Sequence, residues 1–206
     1  MPQIEGSLSR RVLDIVRLGN GKVAGMVIDE QGANHEKTKE QMIMLRKLAV
    51  WRCPIFLVEF ETESDRLGTP LPTKPELRLA ACDDTLKEFS PFRTKRAPPE
   101  RPRVDQTAWR LQCLRVTKRY ANALVQTDLM KKLKADNITH VVIMGQQTNC
   151  CVRATAIGGK DVDRGPKYDG LVQHGISVLS TPKLMSSQFP VADFLDNERV
   201  EIYSAM

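Results

Sequence analysis

The sequence is poor in features that mark several large classes of protein. Aromatic residues make up only 5% of the 206 residues. No apolar run approaches the roughly 20 residues that a membrane-spanning helix needs. Residues 1–6 carry no apolar signal region. We therefore expect neither a membrane protein nor a secreted one.

Cysteine and histidine are also scarce, and their spacing matters more than their number. The five cysteines are an odd number and contain no paired C-x-x-C zinc spacing. This pattern predicts a reduced, cytoplasmic protein with free thiols. We also expect no cofactor. Histidine is the usual base in cysteine enzymes, and only His35, His140 and His174 are present. A Cys–His pair stays open as an alternative, because His35 lies close in sequence to Asp29.

The formal net charge of +6 would permit contact with an anionic partner. However, the positive charge is not confined to one periodic face, and aromatics are few, which argues against a nucleic-acid partner. The basic, proline-rich stretch 88–103 has no apolar period and predicts an exposed insertion around 81–111. A solvated loop, a lid, an oligomer arm and an anion-binding patch all stay open for it.

Apolar runs and helical stripes alternate along the chain. Strands are predicted at 23–28, 54–58, 114–118, 141–144, 175–180 and 200–203. Helices are predicted at 8–18 (or a loose leader there), 36–50, 76–81, 129–135, 190–195 and from 151 onward, with a loop at 160–170. This alternation predicts a three-layer α-β-α fold with a mostly parallel central sheet, formed by one domain over residues 1–206.

Three predicted strands end at residues with charged or nucleophilic side chains. These residues are Asp29, Lys118 and Cys151, the last in a cysteine turn. The carboxyl ends of parallel strands meet at one edge of the sheet, so these residues are expected to converge. Thr148 and Asn149 are predicted N-caps of the helix that carries Cys151. A thiol at such a turn should have a lowered pKa, and the turn should stabilise an oxyanion. Asp29 could instead only cap the segment after its strand.

The three strand ends carry sequence blocks at 27–31, 117–129 and 145–156. In order and spacing these blocks resemble the isochorismatase-like hydrolases, the superfamily that includes nicotinamidases and N-carbamoylsarcosine amidohydrolase. The resemblance implies Asp29 as general base, Lys118 as its cationic partner and Cys151, rather than Cys150, as nucleophile. It further implies a homo-oligomer, dimer or higher, acting on a small molecule.

The resemblance also implies a cis peptide before Gln147 and an oxyanion hole formed by the backbone N–H groups of Gln147 and Cys151. The implied reaction is acyl transfer, in which the thiolate attacks an amide-like carbonyl and water hydrolyses the thioester. Nicotinamidases carry metal-binding histidines, but residues 59–63 here contain none, so the chain resembles a metal-free subgroup. Further, weaker candidates for substrate binding are Gln31, Glu61, Tyr120, Asn122 and Gln146.

Three other functions stay open at this stage. Vinyl-ether hydrolysis, as in isochorismatase, would use Asp29 as the proton donor. A catalytically silent binding or regulatory homologue would keep the fold without turnover. A thiol redox sensor would use Cys150 and Cys151 as a vicinal pair.

Overall fold

A single large parallel sheet organises the chain. A computed structural model describes residues 3–31, 36–61, 73–82, 113–146, 148–160, 167–186 and 197–206. The strands are β1 (Ile4–Ser7), β2 (Val23–Ile28), β3 (Ile55–Phe60), β4 (Cys113–Lys118), β5 (His140–Gln146), β6 (Gly159–Lys160), β7 (Lys167–Tyr168), β8 (Ser177–Ser180), β9 (Met185–Ser186) and β10 (Val200–Ala205). The main sheet runs β1-β10-β8-β5-β2-β3-β4, with β9 beside β5. Every pairing among its described strands is parallel.

Helices cover both faces of this sheet. They are α1 (Leu8–Leu18), α2 (Thr38–Val50), α3 (Pro75–Cys82), α4 (Leu129–Ala135) and α5 (Arg153–Ile157), the last preceded by a π-helical turn, Thr148–Val152. One core packs α4, the π-helical turn and α5 against side chains such as Met26 and Ile143. The other packs α1, α2 and α3 against side chains such as Val27 and Met144. The predicted three-layer fold with a mostly parallel sheet is therefore confirmed.

Residues at its two ends determine where the N-terminal helix α1 begins and ends. Ser7 caps it, because its hydroxyl accepts a hydrogen bond from the Arg10 backbone N–H. Gly19 ends it in the left-handed conformation at φ 67°. The structure thus confirms helix 8–18 and excludes the alternative of a loose leader.

One strand was missed in the sequence, and two local predictions were wrong. The strand β1 was not predicted, since its residues are mostly exposed and lack an apolar period. The stretch 160–170, predicted as loop, contributes to an antiparallel ribbon in which Gly159 pairs with Tyr168. Thr148 and Asn149 do not cap a helix, because the helical turn already begins at Thr148.

Two central strands approach closely at the carboxyl edge of the sheet. Ile28 of β2 is in register with Gly145 of β5. A Cβ atom on Gly145 would lie 2.2 Å from the Ile28 carbonyl oxygen, and the residue has φ +152°. Only glycine therefore fits at this position without moving one of the two strands.

Several predictions fall on residues outside the described ranges. They are the helix at 190–195, His35, Gln147 with its cis peptide, and the insertion around 81–111 beyond the last residues of α3. Within the described ranges, no helix is long and apolar enough to cross a bilayer.

Candidate active site

The structure brings Asp29, Lys118 and Cys151 together at the carboxyl edge of the sheet. Asp29 directly follows β2, Lys118 ends β4, and Cys151 lies in the π-helical turn after β5. The Lys118 Nζ atom is 2.9 Å from Asp29 Oδ2, with the lysine side chain fully buried and the aspartate side chain 12% exposed. Asp29 lies close enough to the Cys151 thiol to act on it by hydrogen bonding and by charge. The predicted convergence of the three residues is therefore present.

The Lys118 side chain is surrounded by hydrogen-bond acceptors. Besides Asp29, its Nζ donates to the carbonyl oxygens of Tyr120 and Ala121, each at 3.2 Å. It also lies 4.5 Å from the centre of the Phe60 ring, where a cation is attracted to the aromatic face. An ammonium group has three N–H donors, and these three oxygens can take all of them. Lys118 is therefore placed to orient and neutralise Asp29, and not to accept a proton itself.

Asp29 presents one unused carboxylate oxygen. The residue adopts the left-handed backbone conformation at φ 55°, and its N–H donates to the Val58 carbonyl at 2.9 Å. Its Oδ1 atom is buried and has no hydrogen-bond partner among the residues that the structure describes. A buried carboxylate oxygen without a donor has a lone pair available to accept a proton or a hydrogen bond. This placement is suited to a general base, and Asp29 caps no helix among the described residues.

The predicted lowering of the thiol pKa is wrong for this geometry. The Cys150 side chain, whose sulfur lies 4.0 Å from the Cys151 sulfur, raises the pKa of Cys151 most strongly. Burial and the negative charge of Asp29 raise it further, and Lys118 alone among these groups lowers it. These contributions favour a protonated thiol over a preformed thiolate at Cys151.

Replacing Cys150 by alanine tests this account of the thiol. We expect iodoacetamide to alkylate Cys151 about three to ten times faster at pH 8, because a fall of one pKa unit raises the thiolate fraction about tenfold below the pKa. The rate is measured by peptide mass mapping. Cys113→Ala is the matched control, because Cys113 begins β4 at the opposite edge of the sheet from Lys118. Unchanged or slower alkylation in Cys150→Ala would contradict the assigned cause.

Two polar side chains hold the turn after β4. Thr155 Oγ1 accepts from the Ala123 backbone N–H at 3.0 Å and donates to the Cys151 carbonyl at 2.8 Å. Asn122 Nδ2 donates to the carbonyl of Asp169, which follows β7, at 2.9 Å. The buried Thr155 contacts link the lysine segment to the cysteine turn.

The weaker candidates for substrate binding are engaged in contacts within the protein. Gln31 bonds both the N–H and the carbonyl of Phe60, at 2.8 and 3.1 Å. Glu61 pairs with Arg119, which holds the pKa of that carboxyl below its usual range. Asn122 bonds as described above, and the Tyr120 ring lies 6.4 Å from the Tyr168 ring. Gln146 Nε2 donates to Glu30 at 3.3 Å. No described contact joins these five side chains to the thiol.

The residues matching the metal region of nicotinamidases are used differently here. Glu59 accepts hydrogen bonds from the N–H and hydroxyl groups of Thr73, and it also pairs with Arg115. Glu61 pairs with Arg119. Across the described parts of the chain, no three side chains of His, Cys, Asp or Glu are grouped to hold a metal ion. The acidic residues at the end of β3 are thus structural anchors.

Sequence reasoning missed a second buried acid beside the first. Glu30, Gln41 and Lys74 form a hydrogen-bonded cluster on the opposite side of the sheet from Asp29. The one signal in the sequence was the carboxylate of Glu30 immediately after Asp29, at the end of a fully buried strand. Lys74 gave none, because it lies in a proline-rich stretch that predicts only loop.

Comparisons with known proteins give a consistent family and fold. The sequence model of the isochorismatase domain matches residues 34–164, which include Lys118 and Cys151. A search of curated proteins found no match to the chain. The nicotinamidase SaPncA from Staphylococcus aureus superimposes with a TM-score of 0.59 at 13% identity, over 89% of this chain and 98% of that one.

Two further solved structures share the fold. N-carbamoylsarcosine amidase from Thermoplasma acidophilum has a TM-score of 0.52 at 14% identity, over 88% of this chain and 95% of that one. The MAR1 ribonuclease from Caenorhabditis elegans has a TM-score of 0.55 at 14% identity, over 90% of this chain and 77% of that one. The differing names show that this fold carries more than one activity, so reaction and substrate have to be argued from the site.

Proposed function

We propose that this chain, which belongs to the isochorismatase family of hydrolases, cleaves an amide-like C–N bond in a small molecule by nucleophilic catalysis. The observation that carries the proposal is the contact of Lys118 with Asp29 next to the Cys151 thiol. These are a cation, a base and a nucleophile in one buried place. The printed names of a nicotinamidase and an N-carbamoylsarcosine amidase among the structural relatives support the choice of an amide-like substrate.

The proposed first half-reaction forms a thioester. Asp29 takes the proton of the Cys151 thiol as the sulfur attacks the substrate carbonyl carbon and forms a C–S bond. The backbone N–H groups of Cys151 and Gln147 are proposed to stabilise the oxyanion. Asp29 then returns the proton to the substrate nitrogen, the C–N bond breaks, and the amine or ammonia leaves.

The second half-reaction restores the enzyme. Asp29 accepts a proton from a water molecule, whose oxygen attacks the thioester carbonyl. The C–S bond breaks, the carboxylic acid leaves, and the proton returns to the Cys151 sulfur. Lys118 stays charged throughout and keeps Asp29 oriented. A neutral resting thiol fits this scheme, because the proton that protonates the leaving nitrogen is then present on the enzyme at the start.

The ion pair favours amide cleavage over vinyl-ether hydrolysis. Vinyl-ether cleavage would begin with proton donation from Asp29, which needs a protonated carboxyl group. The Asp29 Oδ2 oxygen instead accepts a hydrogen bond from Lys118 Nζ at 2.9 Å, which is the role of a carboxylate and not of a proton donor. The same assembled set of groups favours an active enzyme over a silent binding homologue.

We further propose that residues 1–206 form a single domain and that the protein works in the cytoplasm as a homo-oligomer of two or more copies. Light scattering measures the number of copies.

The reaction is tested with a panel of primary carboxamides and N-carbamoyl amino acids. We expect ammonia release from at least one compound, and an acyl adduct on the Cys151 peptide after acid quenching. Cys151→Ala should lower the rate about 10³-fold or more and abolish the adduct, because the proposed thioester forms on the Cys151 sulfur. Cys150→Ala is the matched control and should keep turnover. Ammonia release that survives in Cys151→Ala would contradict the assigned nucleophile.

A further inference from the structure

A second buried carboxylate–lysine pair lies beside the first. The Lys74 Nζ atom is 2.5 Å from Glu30 Oε2, and both side chains are fully buried. Asp29 and Glu30 are adjacent in sequence, yet Asp29 bonds Lys118 at the end of β4 whereas Glu30 faces α2 and the segment entering α3. The left-handed conformation of Asp29 is the turn that separates the two carboxylates. The proposed reaction uses only one of the pairs.

Glu30 is the centre of a hydrogen-bonded cluster. Gln41 of α2 donates from Nε2 to Glu30 Oε1 at 2.6 Å and to the Leu184 carbonyl at 3.0 Å. The Lys74 backbone N–H donates to the Glu30 carbonyl at 2.9 Å. Gln146 donates from Nε2 to Glu30 Oε2 at 3.3 Å. One carboxylate thus joins α2, the start of α3 and the last residue of β5.

Gln146 connects this cluster to the nucleophile. It is the last residue of β5. The π-helical turn Thr148–Val152, which carries Cys151 and which we call the nucleophile turn, begins two positions further on. The Gln146 backbone also pairs with Ser186 of β9, close to Leu184, which accepts from Gln41. The entry to the nucleophile turn is therefore held both through the sheet and through the Gln146 side chain.

The burial of Glu30 and Lys74 has a desolvation cost that packing alone does not explain. Taking a carboxylate and an ammonium out of water costs several kcal/mol per ion, and an apolar pair of similar volume often folds as well or better. The carboxylate of a buried ion pair is, however, a rigid hydrogen-bond acceptor, because moving either partner would separate the two buried charges. An oxygen fixed in this way can hold a glutamine in one orientation.

We propose that Glu30 is a positioning residue for Cys151, acting through its hydrogen bond to Gln146 at the entry to the nucleophile turn. Lys74 and Gln41 hold the Glu30 carboxylate in place for this purpose. The inference rests on the proposed function, since what Glu30 positions is the proposed nucleophile and the turn of the proposed oxyanion hole.

Two matched double variants separate positioning from simple stability. Both replace Lys74 by methionine, so neither leaves an unpaired buried charge. Glu30→Met/Lys74→Met removes the acceptor for Gln146. Glu30→Gln/Lys74→Met keeps an oxygen acceptor of the same size. A half-turn of the Gln41 amide, whose Nε2 now faces Glu30, would let its unpartnered Oε1 accept the new amide N–H. The two proteins differ mainly in whether position 30 can bind Gln146.

We expect kcat to fall about 10- to 100-fold in Glu30→Met/Lys74→Met, with KM within threefold of the parent. Small misplacements of reacting groups cost rate more than binding. Glu30→Gln/Lys74→Met should stay within threefold of the parent in both constants. Gln146→Met should reproduce the loss in the parent and add nothing to Glu30→Met/Lys74→Met, because both changes remove the same bond. Urea unfolding of each protein shows whether rate simply follows stability.

Equal kcat in the two double variants, or additive losses with Gln146→Met, would overturn the proposal. A parent enzyme that hydrolyses no amide in the panel would instead overturn the proposed function. The iodoacetamide rate at Cys151 then decides on the positioning role. We expect a change of more than threefold at pH 8 in Glu30→Met/Lys74→Met and no such change in Glu30→Gln/Lys74→Met, and identical rates in both would refute it.

Discussion

Asp29→Asn is expected to abolish turnover while making the Cys151 thiol more reactive toward iodoacetamide. Turnover should fall about 10²- to 10⁴-fold, the usual contribution of a general acid–base group. The thiol should become more reactive because Asp29 raises the pKa of Cys151 both by its charge and by hydrogen bonding. Asparagine tolerates the left-handed conformation found here, so the backbone at φ 55° is preserved.

Lys118→Met is expected to move thiol reactivity in the opposite direction with the same loss of turnover. Lys118 lowers the pKa of Cys151, so its removal should slow alkylation at pH 8. Each single change also breaks a buried pair, which costs about 3–5 kcal/mol of unfolding free energy. The double variant Asp29→Asn/Lys118→Met leaves no unpaired charge and is the matched control for stability.

Opposed alkylation rates with parallel losses of turnover are the signature of a base acting on a neutral thiol. The measurements are the pH dependence of iodoacetamide labelling at Cys151, read by peptide mass, and ammonia release from the best amide. Cys53 provides an internal reference, because burial raises the pKa of that thiol to about 12 and should keep it unlabelled in all variants. Faster labelling in both single variants would instead indicate general loosening of the site and would contradict the assigned roles.

Gly145→Ala is expected to unfold the protein or lower its free energy of unfolding by about 4 kcal/mol or more. The new Cβ would meet the Ile28 carbonyl oxygen at 2.2 Å, inside the central pairing of β2 with β5. The two strands would have to separate where the backbone lies between Asp29 and the nucleophile turn. Activity should therefore be lost even in any fraction that folds.

Gly19→Ala is the matched control for this prediction. Gly19 also has positive φ, at +67°, but a Cβ there has no neighbouring atom within 4 Å. Its replacement should cost only the backbone strain of a left-handed residue, about 1–2 kcal/mol. Thermal and urea unfolding, followed by circular dichroism, measure both. Similar losses in the two variants would show that the close approach of β2 and β5 does not limit stability.

The fold and the convergence of three residues could be predicted because both follow from patterns within short segments. Buried strands are apolar runs, and the carboxyl ends of parallel strands meet wherever the sheet places them. Asp29, Lys118 and Cys151 were found in this way, each at its own strand end. Sequence blocks then supplied their order and the family.

What could not be predicted depends on contacts between distant segments. The direction of the Cys151 pKa follows from the side chains of Cys150 and Asp29 and from burial, and local helix geometry alone gave the wrong sign. The Glu30–Lys74 pair joins residues 44 positions apart, so neither residue reveals the other. The strand β1 exists because β10 pairs with it and not because its own sequence favours a strand.

The parallel pairing of β2 with β5 also determines when, during folding, Asp29 comes close to the Cys151 thiol and raises its pKa. Their register joins Ile28 to Gly145, so the chain between them must close a long loop before this pair forms. Contacts between residues so distant in sequence form slowly, because closing the loop costs conformational entropy before the new contacts stabilise the structure. Until then neither burial nor Asp29 raises the pKa of Cys151, and the thiol is open to oxidants. We therefore expect oxidation of Cys151 to be faster in newly made or unfolding molecules than in folded ones.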